Sequence, residues 1–218
     1  MNEDFLLSTM LFRGLSDSEL SECLTSLSAQ EKTYKKGAFI FHAGDPTDHM
    51  GLVLSGSVTV ESNDFWGNHT ILSYVGKGQL FAETYALLTD EVMLVDVRAN
   101  ENCRIVFLKI GNIQELNKDF SVWRLKLIRN ILNISAHKNL ALSGRSFHTA
   151  PKSARGRILA YLNTFALQNH SQEFDIPFDR QQLADYLNLE RTNMSKELTK
   201  MKEDGLIKCR KNHFKLIT

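Results

Sequence analysis

Cysteine and proline are scarce in this chain, at three residues each in 218. Cys23, Cys103 and Cys209 are far apart and odd in number, and no CxxC pair occurs. That excludes a disulfide framework and the usual cysteine zinc or iron–sulfur motifs, so each cysteine reads as a small apolar core residue. No apolar run approaches the roughly 18 residues that a membrane span needs. The N-terminus has no basic stretch followed by an apolar core, so no signal peptide is expected. There is no Ser/His/Asp or Cys/His arrangement and no phosphate-cradling glycine loop to support catalysis. These absences predict a soluble cytoplasmic protein that is not an enzyme, with no membrane partner, no metal and no resident cofactor.

The chain is long enough for two domains of ordinary size. Its formal charge of +1 hides an asymmetry. Residues 1–110 carry 8 Lys and Arg against 15 Asp and Glu, whereas residues 151–218 carry 12 against 8. Residues 111–150 are basic as well, with 6 against 2. Only the C-terminal half is suited to approach phosphate.

The acidic half reads as strands. Ser16 and Glu19 form a capping box that opens a helix bearing Leu20, Cys23, Leu24 and Leu27. Short strand-like runs follow at Ala38–His42, Met50–Ser55, Ser57–Glu61, His69–Val75, Val92–Ala99 and Cys103–Lys109. Phe39 and Phe41 alternate with Ile40, and Val58 and Val60 with Thr59, as half-buried strands do. Turn signals separate the runs, among them Gly44-Asp45-Pro46, Trp66-Gly67-Asn68 and Gly76-Lys77-Gly78. This spacing suggests a small barrel or jelly roll, with Leu80–Thr89 as a short helical insertion.

Residues 119 to about 145 predict one long helix with a narrow polar arc of Lys126, Arg129, Asn130, Asn133 and His137. Trp123, Leu125, Leu127, Ile128, Ile131, Leu132, Ile134 and Leu142 cover over half of its circumference. One buried stripe is usual for a surface helix, and this pattern implies two. The expectation is that one side packs on its own roll and the other, through Leu125, Ile128 and Leu132, on a second copy of the chain. The alternative is a central helix of a monomer. Gly144 and Pro151 are expected to punctuate the join that follows, with Pro151 in the first turn of the next helix.

From Phe178 to Phe214 the text reads as a winged helix-turn-helix. Asp179 caps a first helix with Gln182 completing a capping box, and Leu183, Ala184 and Leu187 form its apolar face. Asn188 sits at the turn, where its tolerance of left-handed geometry is useful. On the second helix Met194, Leu198 and Met201 form one stripe, and the other face carries Arg191, Thr192, Asn193, Ser195, Lys196 and Lys200. Gly205 suits a left-handed cap. Two strands, Leu206–Cys209 and His213–Ile217, flank a basic Arg210-Lys211-Asn212 turn. A short helix with cations, hydroxyls and amides on its N-terminal turn suits base edges and phosphates in a major groove of double-stranded DNA. Two packed helices with a merely solvated face are the alternative.

Roll, long helix and winged helix-turn-helix in this order resemble the CRP/FNR family of bacterial transcription regulators. Gly37, Gly44, Gly56 and Gly78 fit the family's roll, and Gly156-Arg157-Ile158-Leu159 looks like the segment that opens its DNA-binding domain. Arg180-Gln181-Gln182-Leu183-Ala184 followed by Arg191-Thr192-Asn193-Met194-Ser195-Lys196 is the strongest match. The resemblance implies an α+β chain with a cyclic-nucleotide-binding-like β-roll (jelly roll) at residues 1–118, a dimerisation helix and hinge at 119–148, and a winged helix-turn-helix at 149–218. It implies that Arg191, Thr192, Ser195 and Lys196 face bases, with Arg180, Gln181 and Asn193 near phosphates; Lys200 and Lys211 are added to the phosphate set. It also implies a homodimer on a palindromic operator. Loop Gln168–Asp175 resembles the place where family activators touch RNA polymerase.

The departures matter. The family's cyclic-nucleotide readers carry Gly-Glu and then Arg-Ser, where this chain has Ala82-Glu83 and Met93-Leu94. A buried cyclic phosphate without a guanidinium lacks its charge partner, and Glu83 repels it, so cyclic AMP is not expected as the effector. Phe81, Glu83, Tyr85, Met93 and Leu142 are the candidate pocket for another small molecule, of unknown identity. The equal alternative is that these residues fill the core and no effector exists. Cys23 cannot supply the cysteine cluster of oxygen-sensing relatives, and His42, His49 and His69 qualify as haem ligands by type only. Thr192 stands where relatives commonly present Glu, and Lys196 replaces a common Arg, so a different half-site with weaker discrimination is expected. Two other classes remain: a metal-dependent cupin, which lacks its His-x-His cluster here, and a module that regulates a partner protein.

Overall fold

A computed structural model describes residues 2–63, 69–88, 90–110 and 121–217. They form two compact units, Met1–Ala136 and His137–Thr218. The expected turn at residues 66–68, Thr89 and the first two residues expected in the long helix lie outside the described residues.

The first unit opens with two helices, α1 (Glu3–Ser8) and α2 (Asp17–Ser26). The Ser16–Glu19 capping box at α2 is present in both directions. Eight strands follow: β1 (Gln30–Tyr34), β2 (Phe39–Phe41), β3 (His49–Ser55), β4 (Val58–Asn63), β5 (His69–Val75), β6 (Leu80–Phe81), β7 (Asp96–Ala99) and β8 (Cys103–Lys109). Helix α3 (Glu83–Leu87) interrupts them after β6. They make two antiparallel sheets of four, ordered β1-β8-β3-β6 and β2-β7-β4-β5. This is the jelly-roll-like domain that the strand spacing predicted.

Strands β3 and β8 are covered on both faces. Met50, Leu52, Leu54, Val106 and Leu108 join Leu6, Leu20 and Leu24 of the N-terminal helices in one cluster. Val53, Ile105 and Phe107 point the other way, into the roll with Val58, Val97 and Phe81. That explains why β3 is a continuous apolar run.

Within the roll some local expectations fail. The Phe39/Ile40/Phe41 alternation is broken by a register shift between Phe39 and Phe41, which leaves Phe39 exposed. The run Val92–Ala99 is a strand only from Asp96. Before it, Met93 exchanges backbone hydrogen bonds with Gly44 and Asp45 of a loop, and Leu94 is exposed. Thr59 is buried rather than solvated, because its hydroxyl donates to Asn100.

Helix α4 runs over Val122–Thr149, straight through Gly144. In the first unit Trp123, Leu127 and Ile131 are buried in the helix-facing cluster. The expected polar arc does not all face water. Lys126 ion-pairs with Glu19 at 2.7 Å, and the Asn130 amide donates to the carbonyls of Leu11 and Arg13 at 2.8 and 2.9 Å. Arg129 and Asn133 of that arc are exposed, but apolar residues share the exposed side: Val122, Leu125 and Leu132 are each more than 60% exposed, and Ile128 is half-buried.

The second unit continues with α5 (Ala154–Asn169), β9 (Glu173–Asp175), α6 (Arg180–Tyr186), α7 (Arg191–Glu203), β10 (Ile207–Arg210) and β11 (His213–Leu216). The sheet order is β10-β11-β9. Ser153 caps α5, so Pro151 precedes the helix rather than entering its first turn; it packs against Gly156, where a Cβ would meet the proline at 2.9 Å. Part of the expected loop Gln168–Asp175 is strand β9. Ile158, Leu162, Leu183, Leu187, Met194, Leu198, Met201 and Phe214 make this unit's core.

Candidate nucleic-acid interface and effector domain

The helix-turn-helix is built from the cap of its first helix onward. Asp179 and Gln182 form the expected reciprocal capping box at α6. The turn after α6 passes through Asn188 in the left-handed region at φ 51°. Two arginines secure that turn, and a third holds α7. Arg157 donates to the carbonyls of Leu187 and Asn188, and Arg145 donates to those of Tyr186 and Asp185 and to the Asn188 side chain. Arg155 reaches Glu197 on α7 and its C-cap residue Asp204, both at 2.6 Å. Helix α7 buries Met194, Leu198 and Met201 and ends with Gly205 at φ 74°.

That packing leaves Arg191, Thr192, Asn193, Ser195, Lys196 and Lys200 exposed on the opposite face, as their spacing predicted. A cleft of about 580 Å³ lies between the start of α6, the start of α7 and the wing turn. It brings together Arg180, Gln181, Arg191 and Lys211, with Phe178 and Asn212 beside them. Lys211 turns the wing at φ 54°. The Arg180 guanidinium lies 5.0 Å above the Phe214 ring and donates one hydrogen bond to the Cys209 sulfur at 3.5 Å. Its Nη1 is buried without a partner among the described residues. Gln181 is tied to Asp185 at 2.8 Å. Asn193, Ser195, Lys196 and Lys200 lie outside the cleft lining.

Behind this face sits a residue that the pattern of the sequence gave no reason to single out. His148, at the end of α4, is 5% exposed and contacts Tyr186 at 3.0 Å and Thr164 at 2.9 Å. Thr164 spends its only hydroxyl proton on the carbonyl of Ala160, so it accepts from His148 Nε2–H, and Nδ1 accepts from the Tyr186 hydroxyl. Burial holds this imidazole below its ordinary pKa of 6.5. On the wing sheet His213 is raised instead, by hydrogen bonds to Glu173 and Asp175.

In the roll, the candidate pocket residues Phe81 and Met93 are each 1% exposed and packed in the core. The rings of Phe41, Phe81 and Phe107 meet edge to face at centroid distances of 5.7 to 6.4 Å. Phe81 lies directly on Gly51, where a Cβ would stand 2.1 Å from the ring. Tyr85 packs against the same cluster and its hydroxyl accepts from Leu94 N–H. Glu83 is buried in α3, behind Ala82 in the left-handed region at φ 59°. Leu142 belongs to the second unit and is exposed there. An open cleft of about 400 Å³ lies elsewhere on the roll, lined by Phe41, Pro46, Thr47, Asp48 and His49, and includes none of the five candidates.

His42 lies 3.7 Å from Asp96, and His49 pairs with Asp48; the His69 side chain is outside the described residues. Among the described residues no group of three His, Cys, Asp or Glu side chains is arranged to hold a metal, and no helix is long and apolar enough to cross a membrane.

Comparison with known proteins matches both halves. Residues 31–119 fit the cyclic nucleotide-binding domain and residues 156–218 the Crp-like helix-turn-helix domain. The CRP-like protein Clp of Xanthomonas euvesicatoria pv. vesicatoria is 23% identical over 193 residues, covering 84% of this chain and 81% of Clp. The solved structure of the c-di-GMP-responsive global regulator CLP of Xanthomonas campestris superposes with a TM-score of 0.57 at 20% identity, over 93% of this chain and all of that one. CprK in complex with OCPA reaches 0.62 at 14% identity, over 89% and 91%. The second is a regulator by name. Roll, long helix and winged reader, matched in that order along most of the chain, make this protein a member of the CRP/FNR family of DNA-binding bacterial transcription regulators.

Proposed function

We propose that the protein acts as a homodimer that reads a palindromic operator in double-stranded DNA. One observation carries this reading: the N-terminal turn of α7 is exposed and rich in cations and hydrogen-bonding side chains, on a helix anchored by arginines at the turn before it and at Glu197 and Asp204. Such a turn is what a helix-turn-helix inserts into the major groove. Arg191, Thr192, Ser195 and Lys196 are its base-contacting residues in this proposal. Arg180, Gln181, Asn193, Lys200 and Lys211 hold the backbone. The exposed apolar stripe of α4 supplies the dimer contact through Leu125, Ile128 and Leu132.

The β-roll is proposed to answer to a ligand other than cyclic AMP. Met93 is buried and apolar where a cyclic phosphate would want a guanidinium, and Glu83 is acidic and buried nearby in sequence. One relative is described as responsive to c-di-GMP and another was solved with OCPA, which supports effector diversity in proteins of this shape. The close packing of Phe81, Phe41 and Phe107 favours a second reading, in which the filled roll needs no effector.

Selection of binding sequences from a random duplex pool, without ligand, tests the proposal. Enrichment of a palindrome with half-site centres about one helical turn apart supports a dimeric reader that is competent when empty. Enrichment only after metabolite extract is added supports effector control. Enrichment in neither condition overturns the DNA-reading proposal.

A further inference from the structure

We infer that Glu190, just ahead of the reading helix, is a specificity-determining residue that selects a cytosine in each half-site. The inference rests on the proposed operator reading and deepens it. Glu190 is the N-cap residue of α7, yet its side chain makes no cap bond to the helix backbone. Its carboxylate, in an exposed residue, accepts instead from the Thr192 hydroxyl at 3.3 Å. The two side chains therefore form one unit on the exposed N-terminal turn, next to Arg191.

The chemistry of that unit is one-sided. A carboxylate only accepts hydrogen bonds, and Thr192 has committed its single proton to it. Both groups therefore offer lone pairs and want donors. In the major groove the donors are the N4 amino group of cytosine and the N6 amino group of adenine. Adenine presents the N7 acceptor beside its amino group, which repels a carboxylate; cytosine does not. Guanine and thymine offer acceptors only at their groove edges, so they leave the unit unpaired. A negative charge beside phosphates also weakens binding to every sequence that fails to satisfy it. Glu190 thus discriminates both by attraction to cytosine and by repulsion elsewhere.

The test is the duplex selection run in parallel on the full-length wild type, Glu190→Ala, Glu190→Gln and Thr192→Val, with circular dichroism to verify folding. The wild type is expected to enrich a palindrome with a strongly weighted cytosine at one position per half-site. Glu190→Ala should lose that preference by about tenfold while binding random duplex as tightly or more tightly. Glu190→Gln should shift the position toward adenine, because an amide can both donate to N7 and accept from N6. Thr192→Val should blur the same position without tightening random binding. A clear wild-type palindrome with unchanged weights in both Glu190 variants overturns this inference alone. A wild type that enriches nothing overturns the operator reading and this inference with it.

Discussion

Leu132 and Leu127 lie five residues apart on α4 and are expected to fail in different ways when cut back to alanine. Leu132 is 67% exposed, whereas Leu127 is fully buried against the roll's helical side. Full burial of a leucine contributes about 1.5–3 kcal/mol. About two-thirds of that, roughly 1–2 kcal/mol, is still available at Leu132 for contact with another molecule. A two-fold dimer contains the residue twice, so Leu132→Ala should weaken dimerisation by about 2–4 kcal/mol, or roughly 30- to 800-fold. The folded protomer should barely notice. Leu127→Ala should do the reverse, costing about 2–5 kcal/mol of folding stability with little direct effect on self-association. Sedimentation equilibrium over a wide concentration range reads the first quantity, and urea unfolding of the dilute protein the second. An unchanged monomer–dimer constant in Leu132→Ala would refute the assignment of this stripe to the dimer. So would a wild type that stays monomeric at every concentration.

Three further outcomes are expected. Arg191→Ala should cost about 1–3 kcal/mol in specific DNA binding and relax one base position, measured by competition between operator and random duplex; an unchanged preference rules out the base contact. Because burial lowers the pKa of His148, its contribution to stability is complete above 6.5 and is lost as the pH falls through its lowered value. His213 works in the opposite sense: its raised pKa makes its contribution complete below 6.5 and lost as the pH rises through the raised value. Urea unfolding between about pH 7.5 and 5.5 should therefore show a smaller acid loss in His148→Phe than in wild type, and equal losses would count against the buried-imidazole argument. Calorimetry with cyclic AMP should give no saturable heat, and saturable heat would mean that the phosphate finds a partner other than a residue at 93.

Features with a short sequence range were the legible ones. Both capping boxes, the left-handed turn at Asn188 and the Met194/Leu198/Met201 stripe are each written within a few residues, and each forms as read. Strand β1 was missed because its text, Gln-Glu-Lys-Thr-Tyr, is polar and almost wholly exposed; only pairing with β8, some seventy residues away, makes it a strand. The inward turn of Lys126 and Asn130 was invisible for the same reason, since Glu19, Leu11 and Arg13 lie over a hundred residues earlier. Helical-wheel reasoning sorts residues by polarity, and here two polar residues serve the packed side while leucines face outward. On the exposed face of α7 the residues were legible from the helical period, but the Glu190–Thr192 contact depends on side-chain direction, which no periodicity encodes.

The hydrogen-bond chain through His148 has a direction. It ends at the carbonyl of Ala160, which has no proton to return, so every proton upstream is oriented: Thr164 toward Ala160, His148 Nε2–H toward Thr164, Tyr186 toward Nδ1. A neutral imidazole held this way is a single tautomer with a single ring orientation. Its nitrogen-15 resonances should show one sharp pair of unequal shifts, with the Nε2 proton slow to exchange. The ring is thus a built-in spectroscopic reporter of whether the end of α4 is seated against α5 and α6, readable without adding any probe to the exposed face of α7.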